Sequence, residues 1–391
     1  MKLGDTLFNG NQFKNVILNS TSYKRLILGV NLVWSYFSIA IKSFKTRISA
    51  DGGTYEGESI LEDRLQEITP SLFDSASLVI TPNGVNTSKL YTIKPNDGTG
   101  DLTVLRNTSA TRIDENGNIV DVSANVARID YSNRSPAILV EPQRTNLVFP
   151  SDIATTQVRA VTAVAHTLSF YGTGSVTLSG AFSGSLVGTG ANNRVSLTFT
   201  PTAGNLTLTV SGTVTNWQLE AGSNATSLIK SSSGSVTRNG DLISKAGIIS
   251  LIGQTEGTIY VDFFLKNINA GLLAAIDTGN INNFITIEIK SNSRVWLNIR
   301  KDSTTPVTLI STSGVKLGNN KIVIFYKSDD YKIFLNGINI GTLNNPIFPS
   351  GTLSRMSLSD TSYGYFNNFY NTVALWKTQL TDQQAIQLTT L

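Results

Sequence analysis

The chain has 391 residues, of which 40% are apolar and only 15% charged, and 31 cations against 27 anions leave a formal net charge of +4. The cations are scattered without a polybasic run, which argues against nucleic acid as a partner, and no window reaches the roughly 20 apolar residues of a membrane span. With no cysteine there are neither disulfides nor thiolate metal sites, while 32 glycines and abundant Ser, Thr and Asn favour strands and turns over long solvated helices.

This length suggests two to four domains. Met1-Lys2-Leu3 runs into Gly4-Asp5 without the sustained apolar stretch of a secretion signal. Residues 1–48 hold a repeat: Phe13-Lys14-Asn15-Val16-Ile17-Leu18-Asn19 recurs ten positions on as Tyr23-Lys24-Arg25-Leu26-Ile27-Leu28-Gly29, punctuated by Gly4, Gly10, Asn19 and Gly29, and an apolar run ends at Trp34. Short hairpins of this kind cannot bury enough surface alone, so the segment reads as an attachment or oligomerisation element with Phe13, Tyr23 and Trp34 as its candidate anchors.

Residues 49–150 read as a mixed, β-rich linker region, with strand and turn material from Leu78 to Leu147. Apolar spacing from Ile60 to Ile68 predicts one short amphipathic helix that Thr69-Pro70 ends. Asn83-Gly84, Asn96-Asp97-Gly98 and Asn116-Gly117 predict hairpin turns. Asp51-Gly52-Gly53 lacks the Gly-Lys-Ser/Thr of a phosphate loop, and Asp114 to Asn118 lacks the distal Glu of a calcium loop, so both read as turns.

Residues 151–235 predict a small β-sandwich of jelly-roll type. Thr167–Tyr171, Ser175–Ser179, Val195–Phe199 and Leu206–Val210 alternate Ser or Thr with apolar residues, and Ser231 to Ser235 reads as a linker after them. Residues 236–391 predict a second antiparallel β-sandwich, of concanavalin or laminin-G type, with strands around Thr258–Phe264, Phe284–Ile289, Val295–Ile299, Lys321–Tyr326 and Val373–Trp376. Asn336-Gly337 predicts a hairpin, and Thr381 caps a final helix through Leu388. A fragment from about residue 240 onward is expected to fold alone.

Little in the chain points to chemistry. His166 is the single histidine, no Gly-x-Ser-x-Gly elbow accompanies it, and a multi-histidine zinc site is impossible; no catalytic residue, metal or cofactor is assigned. The alternating strands predict that Trp217, Trp296 and Trp376 pack in cores. The loop Asp360 to Asn368, rich in aromatic, Asp and Asn residues, is the better sugar-binding candidate through Asp360, Tyr363, Tyr365 and Asn367.

Two phrases flank the first sandwich, Glu141-Pro142-Gln143-Arg144-Thr145-Asn146-Leu147 and Trp217-Gln218-Leu219-Glu220-Ala221-Gly222, and Ala50 to Thr54 precedes them. Their order, followed by a β-patterned tail, resembles head-fibre, tail-fibre and adhesin proteins of bacteriophages infecting Bacteroidetes, the crAss-like phages among them. The resemblance implies a non-enzymatic virion structural protein, made in the host cytoplasm and displayed on the virion surface. It would join other capsid or tail proteins through its N-terminus, form a homo-dimer or homo-trimer, and present modules to a host-surface glycan. The alternatives are a capsular polysaccharide depolymerase, which the lack of a β-helix coil period disfavours, and a purely structural capsid decoration.

Overall fold

The computed structural model describes residues 2–6, 12–18, 21–23, 26–27, 70–82, 85–86, 89–363 and 367–391. It divides into two compact units, Met1–Ser75 and Ala76–Leu391. Among the described residues strands and antiparallel sheets dominate both, as the composition predicts, and no helix is long and apolar enough to cross a membrane.

In the first unit the strand Gln12–Leu18 pairs with Lys2–Thr6 on one side and with Thr21–Tyr23 and Leu26–Ile27 on the other. The two repeat units therefore pair with each other: Phe13 lies opposite Leu26, and Val16 opposite Tyr23. Gly4, read as punctuation, sits inside the first strand. Trp34 and the helix predicted before Thr69 fall outside the described residues. Pro70 opens a short helix, Pro70–Ser75, since its fixed φ and missing N–H suit a first helical position.

The second unit is a large sandwich with a smaller one inserted into it. One large sheet runs, in spatial order, Arg128–Asp130, Ala137–Val140, Asn368–Trp376, Glu256–Leu265, Gly318–Lys327, Tyr331–Leu335 and Ile338–Leu343, with Leu78–Ile80 also paired to Asn368–Trp376. The other runs Val307–Gly314, Arg294–Arg300, Phe284–Ile289, Gly271–Asp277, Arg355–Ser359, Leu242–Ala246, Leu102–Leu105, Lys89–Leu90 and Val85–Asn86. Alternate residues such as Ile259, Val261, Ile285, Ile287, Leu297 and Ile324 meet between the sheets in one core. Asn336 and Gly337 both take positive φ, 51° and 86°, and close the expected hairpin. The final helix, Asp382–Thr389, starts with a capping box: Thr381 accepts from the Gln384 amide, and Gln384 accepts from that of Thr381.

This arrangement corrects the reading of residues 49–150 as a linker. From Leu78 onward that segment supplies strands to both large sheets, with partners at Leu375 and Leu242 that a local reading cannot see. Leu78, Ile80, Leu90, Leu102, Val104, Ile138 and Val140 belong to the same core as the later strands. Ser231 is likewise no free linker residue: it is buried and exchanges hydrogen bonds with Ser151 and Val148.

The inserted sandwich sets Gln157–Val161, Gly204–Ser211, Ser175–Gly180 and Gly184–Val187 against Gly190–Phe199, His166–Gly172 and Val214–Ala221. Val176, Leu178, Leu206, Leu208, Phe170 and Trp217 fill its interior. The chain leaves the large sandwich through Arg144–Asn146 and returns through Val236–Arg238, and these two strands pair with each other.

The two sequence phrases meet at this junction. The Asn146 amide donates to the carbonyls of Trp217 and Ile229 and accepts from Leu219 N. Arg144 crosses the face of Gly222, where a Cβ would collide with its guanidinium, and Arg144 Nε comes within 3.7 Å of Glu220. Beneath them lies a buried ionic network. Glu141 accepts from Arg128 and Arg238, both at 2.6 Å, and from Ser227 N and Oγ; Asp241 accepts from Arg106 at 2.7 Å, from Arg128 and from Glu141 N. All five charged side chains are nearly inaccessible to water, so each is held by partners that replace hydration.

Candidate functional site

The register of the nine-stranded sheet sets the face turned away from its core in cross-strand rows; Leu272, Ala275, Asp277, Thr286 and Ser357 in them are buried, and the accessible edge lies around Glu288, Lys290, Trp296 and Ile310. One row reads Arg355, Asp277, Phe284, Arg300; the next reads Ser357, Ala275, Thr286, Asn298, Thr308; a third reads Leu272, Glu288, Trp296, Ile310. These positions alternate with the core residues Ile285, Ile287, Val295, Leu297 and Met356, so one sequence pattern builds both faces.

The polar members of these rows are joined. Thr308 Oγ1 donates to Asn298 Oδ1 at 2.7 Å, and Asn298 Nδ2 donates to Thr286 Oγ1 and to Glu288 Oε1 at 3.1 and 2.9 Å. Glu288 pairs with Lys290, whose ammonium lies 4.6 Å from the centroid of the Trp296 ring. Trp217 and Trp376 are buried as the sequence predicts, but Trp296 is only half-buried, because its place in the alternation turns it away from the core near the sheet's accessible edge. Among the described residues, neither Trp296 Nε1 nor Ser357 Oγ has a hydrogen-bond partner.

Of the loop residues predicted to bind sugar, Asp360 and Tyr363 come together over the first row. Asp360 accepts from Arg355 Nη1 at 2.9 Å and from Ser362 N at 2.7 Å. Arg355 also grips Asp277 through Nε and Nη2. The Tyr363 ring meets Phe284 edge-on at 5.2 Å, with its hydroxyl 3.5 Å from Asp277; burial, and then the Asp277 carboxylate, push that phenol above its ordinary value. Tyr365 lies outside the described residues. Asn367 lines a different concavity.

That concavity is a cleft of about 260 Å³ between the two sandwiches. Tyr171, Asn193 and Arg194 reach it from the inserted sandwich, and Arg112, Asp130, Lys266, Asn367 and Phe369 from the large one and its flanking strands. Sequence reasoning missed Trp296, Arg194 and Lys266 as surface groups. The period-two alternation that assigns Leu297 to the core would have placed Trp296 outside it, whereas no local signal joins Arg194 to Lys266.

The remaining sequence candidates have structural settings. His166 is buried, with Nδ1 2.8 Å from the Val164 carbonyl and its ring stacked toward Phe199. Asp114 closes its turn by accepting from the amides of Asn116 and Asn118, and among the described residues no cluster of His, Asp or Glu could hold a metal ion.

No family model and no curated protein matches the chain. Among solved structures it is similar to the CBM40 of the Ruminococcus gnavus IT-sialidase bound to α2,3 sialyllactose, at 20% identity over 36% of this chain and 84% of that one, TM-score 0.31. It is also similar to NanB sialidase from Streptococcus pneumoniae (14% identity, 38% of this chain, 26% of that one, TM-score 0.33) and to a heptameric SAP-like pentraxin of Limulus polyphemus (13%, 34%, 69%, TM-score 0.27). Likenesses this distant carry no functional argument. The site's own geometry must carry it.

Proposed function

We propose that the chain is a non-enzymatic surface protein of a bacteriophage particle, a head or tail fibre, that holds a host-surface glycan at the accessible edge of its nine-stranded sheet, around Trp296. The observation that carries this reading is the row containing Trp296. A half-buried indole beside Glu288 and Lys290, with exposed Ile310 opposite it on the next strand, offers apolar surface next to hydrogen-bonding groups, the combination an amphipathic sugar ring requires. The carboxylates here are tied to cations, Asp277 and Asp360 to Arg355 and Glu288 to Lys290, which favours binding over acid–base work.

The virion setting is supported by the two junction phrases and their resemblance to phage fibres. In it the N-terminal sheet joins other capsid or tail proteins and the sandwiches face outward. The test is binding of the full chain to host surface polysaccharide, followed by product sizing. We expect saturable binding without shortening of the polymer, and a loss of at least tenfold in Trp296→Ala with an unchanged melting profile. Unaltered affinity in that variant would overturn the assignment of the site, and shortened product would overturn the non-enzymatic reading.

A further inference from the structure

We infer that the cleft between the two sandwiches is a second binding site, separate from the sheet face, and that its ligand is a carboxylate-bearing sugar residue held by Arg194 and Lys266. The inference starts from charge. Arg106, Arg128, Arg238 and Arg355 each have a carboxylate within 3 Å. Among the described residues, none of the three cations lining the cleft, Arg112, Arg194 and Lys266, has one within 4 Å.

Arg194 is positioned by its Nη groups, which donate to the Thr226 carbonyl at 2.7 Å and to Ser169 Oγ at 2.8 Å, and its shielded Nε has no partner. Lys266 donates to Ser132 Oγ at 2.6 Å and stands 4.7 Å from the centroid of the Phe369 ring. Two carboxylates also line the cleft, and both are engaged. Asp130 accepts from the amides of Ile113 and Ser132 and from the Ser132 hydroxyl, and Glu141 is held from behind by Arg128 and Arg238. A concave site with unpaired cations and low-dielectric walls draws an anion.

Size and lining then select the anion. The cleft is smaller than the roughly 300–1,000 Å³ of pockets for drug-sized ligands, which suits a single ring. Asn193, Asn367 and Tyr171 among the lining residues carry neutral hydrogen-bonding groups beside the cations, as a ring bearing several hydroxyls needs and a bare inorganic anion does not.

The experiment titrates the full chain by calorimetry with an oligohexuronate and with the same oligomer after its carboxyls are reduced to alcohols, inorganic phosphate being the competitor. We expect the acidic oligomer to bind, the reduced one to bind at least tenfold more weakly, and Lys266→Gln alone and Arg194→Gln with Lys266→Gln to weaken the acidic oligomer progressively. Trp296→Ala should leave it unchanged. Equal binding of both oligomers, or affinity unmoved in Lys266→Gln, would overturn the inference while leaving the sheet-face reading intact. Binding lost in Trp296→Ala and kept in Lys266→Gln would assign the acidic oligomer to the sheet face and also overturn it. Displacement by phosphate at equal concentration would show a general anion site and refute the sugar assignment.

Discussion

Glu141 accepts hydrogen bonds from two guanidiniums and from both polar groups of Ser227, with almost no exposure to water. Burial alone would raise its carboxyl above the usual range, but Arg238, Arg128 and the Ser227 hydroxyl outweigh it and hold the group well below. A carboxylate that ionises more readily folded than unfolded contributes fully above its unfolded value near 4.5, and the contribution is lost progressively as pH falls from there. Urea denaturation at pH 7, 5 and 3 should therefore show stability falling at the acid end. Glu141→Gln should lower stability at pH 7 by roughly 3–5 kcal/mol, the cost of stranding buried guanidiniums, and should flatten the acid limb. An acid limb as steep in the variant as in the parent would contradict this account. The sequence marks Glu141 as part of a phrase but not as the centre of a network, because Arg128, Ser227 and Arg238 stand 13, 86 and 97 positions away.

At the level of strands, what the sequence discloses is what is local. Ser175–Gly180 alternates strictly and buries Val176 and Leu178 while exposing Thr177, and the Asn336-Gly337 turn and the Thr381 capping box carry their geometry in adjacent residues. Pairing across long separations is not local, and there the reading fails. Leu78–Ile80 reads as strand material within a linker, yet its partner strand lies almost 300 residues on. The fold therefore contradicts the expectation that residues 240–391 form a free-standing unit. Without Leu78, Ile80, Leu90, Leu102, Val104, Ile138 and Val140 the core forfeits on the order of 10–20 kcal/mol of burial, as much as a whole domain's net stability. We predict that 76–391 melts cooperatively by circular dichroism and that 240–391 does not. A cooperative transition in the shorter fragment would count against the insertion architecture. The candidate glycan face follows the same division: the loop bearing Asp360 and Tyr363 is conspicuous in composition, whereas the row through Trp296 exists only once Gly271–Asp277, Phe284–Ile289, Arg294–Arg300 and Val307–Gly314 have paired.

For the molecule as a whole, the proposed division of labour assigns assembly to the first unit and display to the second. Two or three copies on one particle would raise the avidity of weak sites without adding a contact. Light scattering should accordingly find the full chain as a dimer or trimer at micromolar concentration and 76–391 as a monomer; a monomeric full chain would place the association surface elsewhere. The paired strands Arg144–Asn146 and Val236–Arg238 bear on this in another way. Because the chain departs and returns about 4.8 Å apart, the spacing of neighbouring strands, the strand pairing of the larger sandwich does not depend on the length of the detour. The junction behaves as a socket. A foreign module whose own ends lie side by side could be plugged in there, provided that it brings groups to replace Ser227 at Glu141 and Leu219 at Asn146. A lineage needing new attachment specificity could exchange the outer cassette and keep the mount.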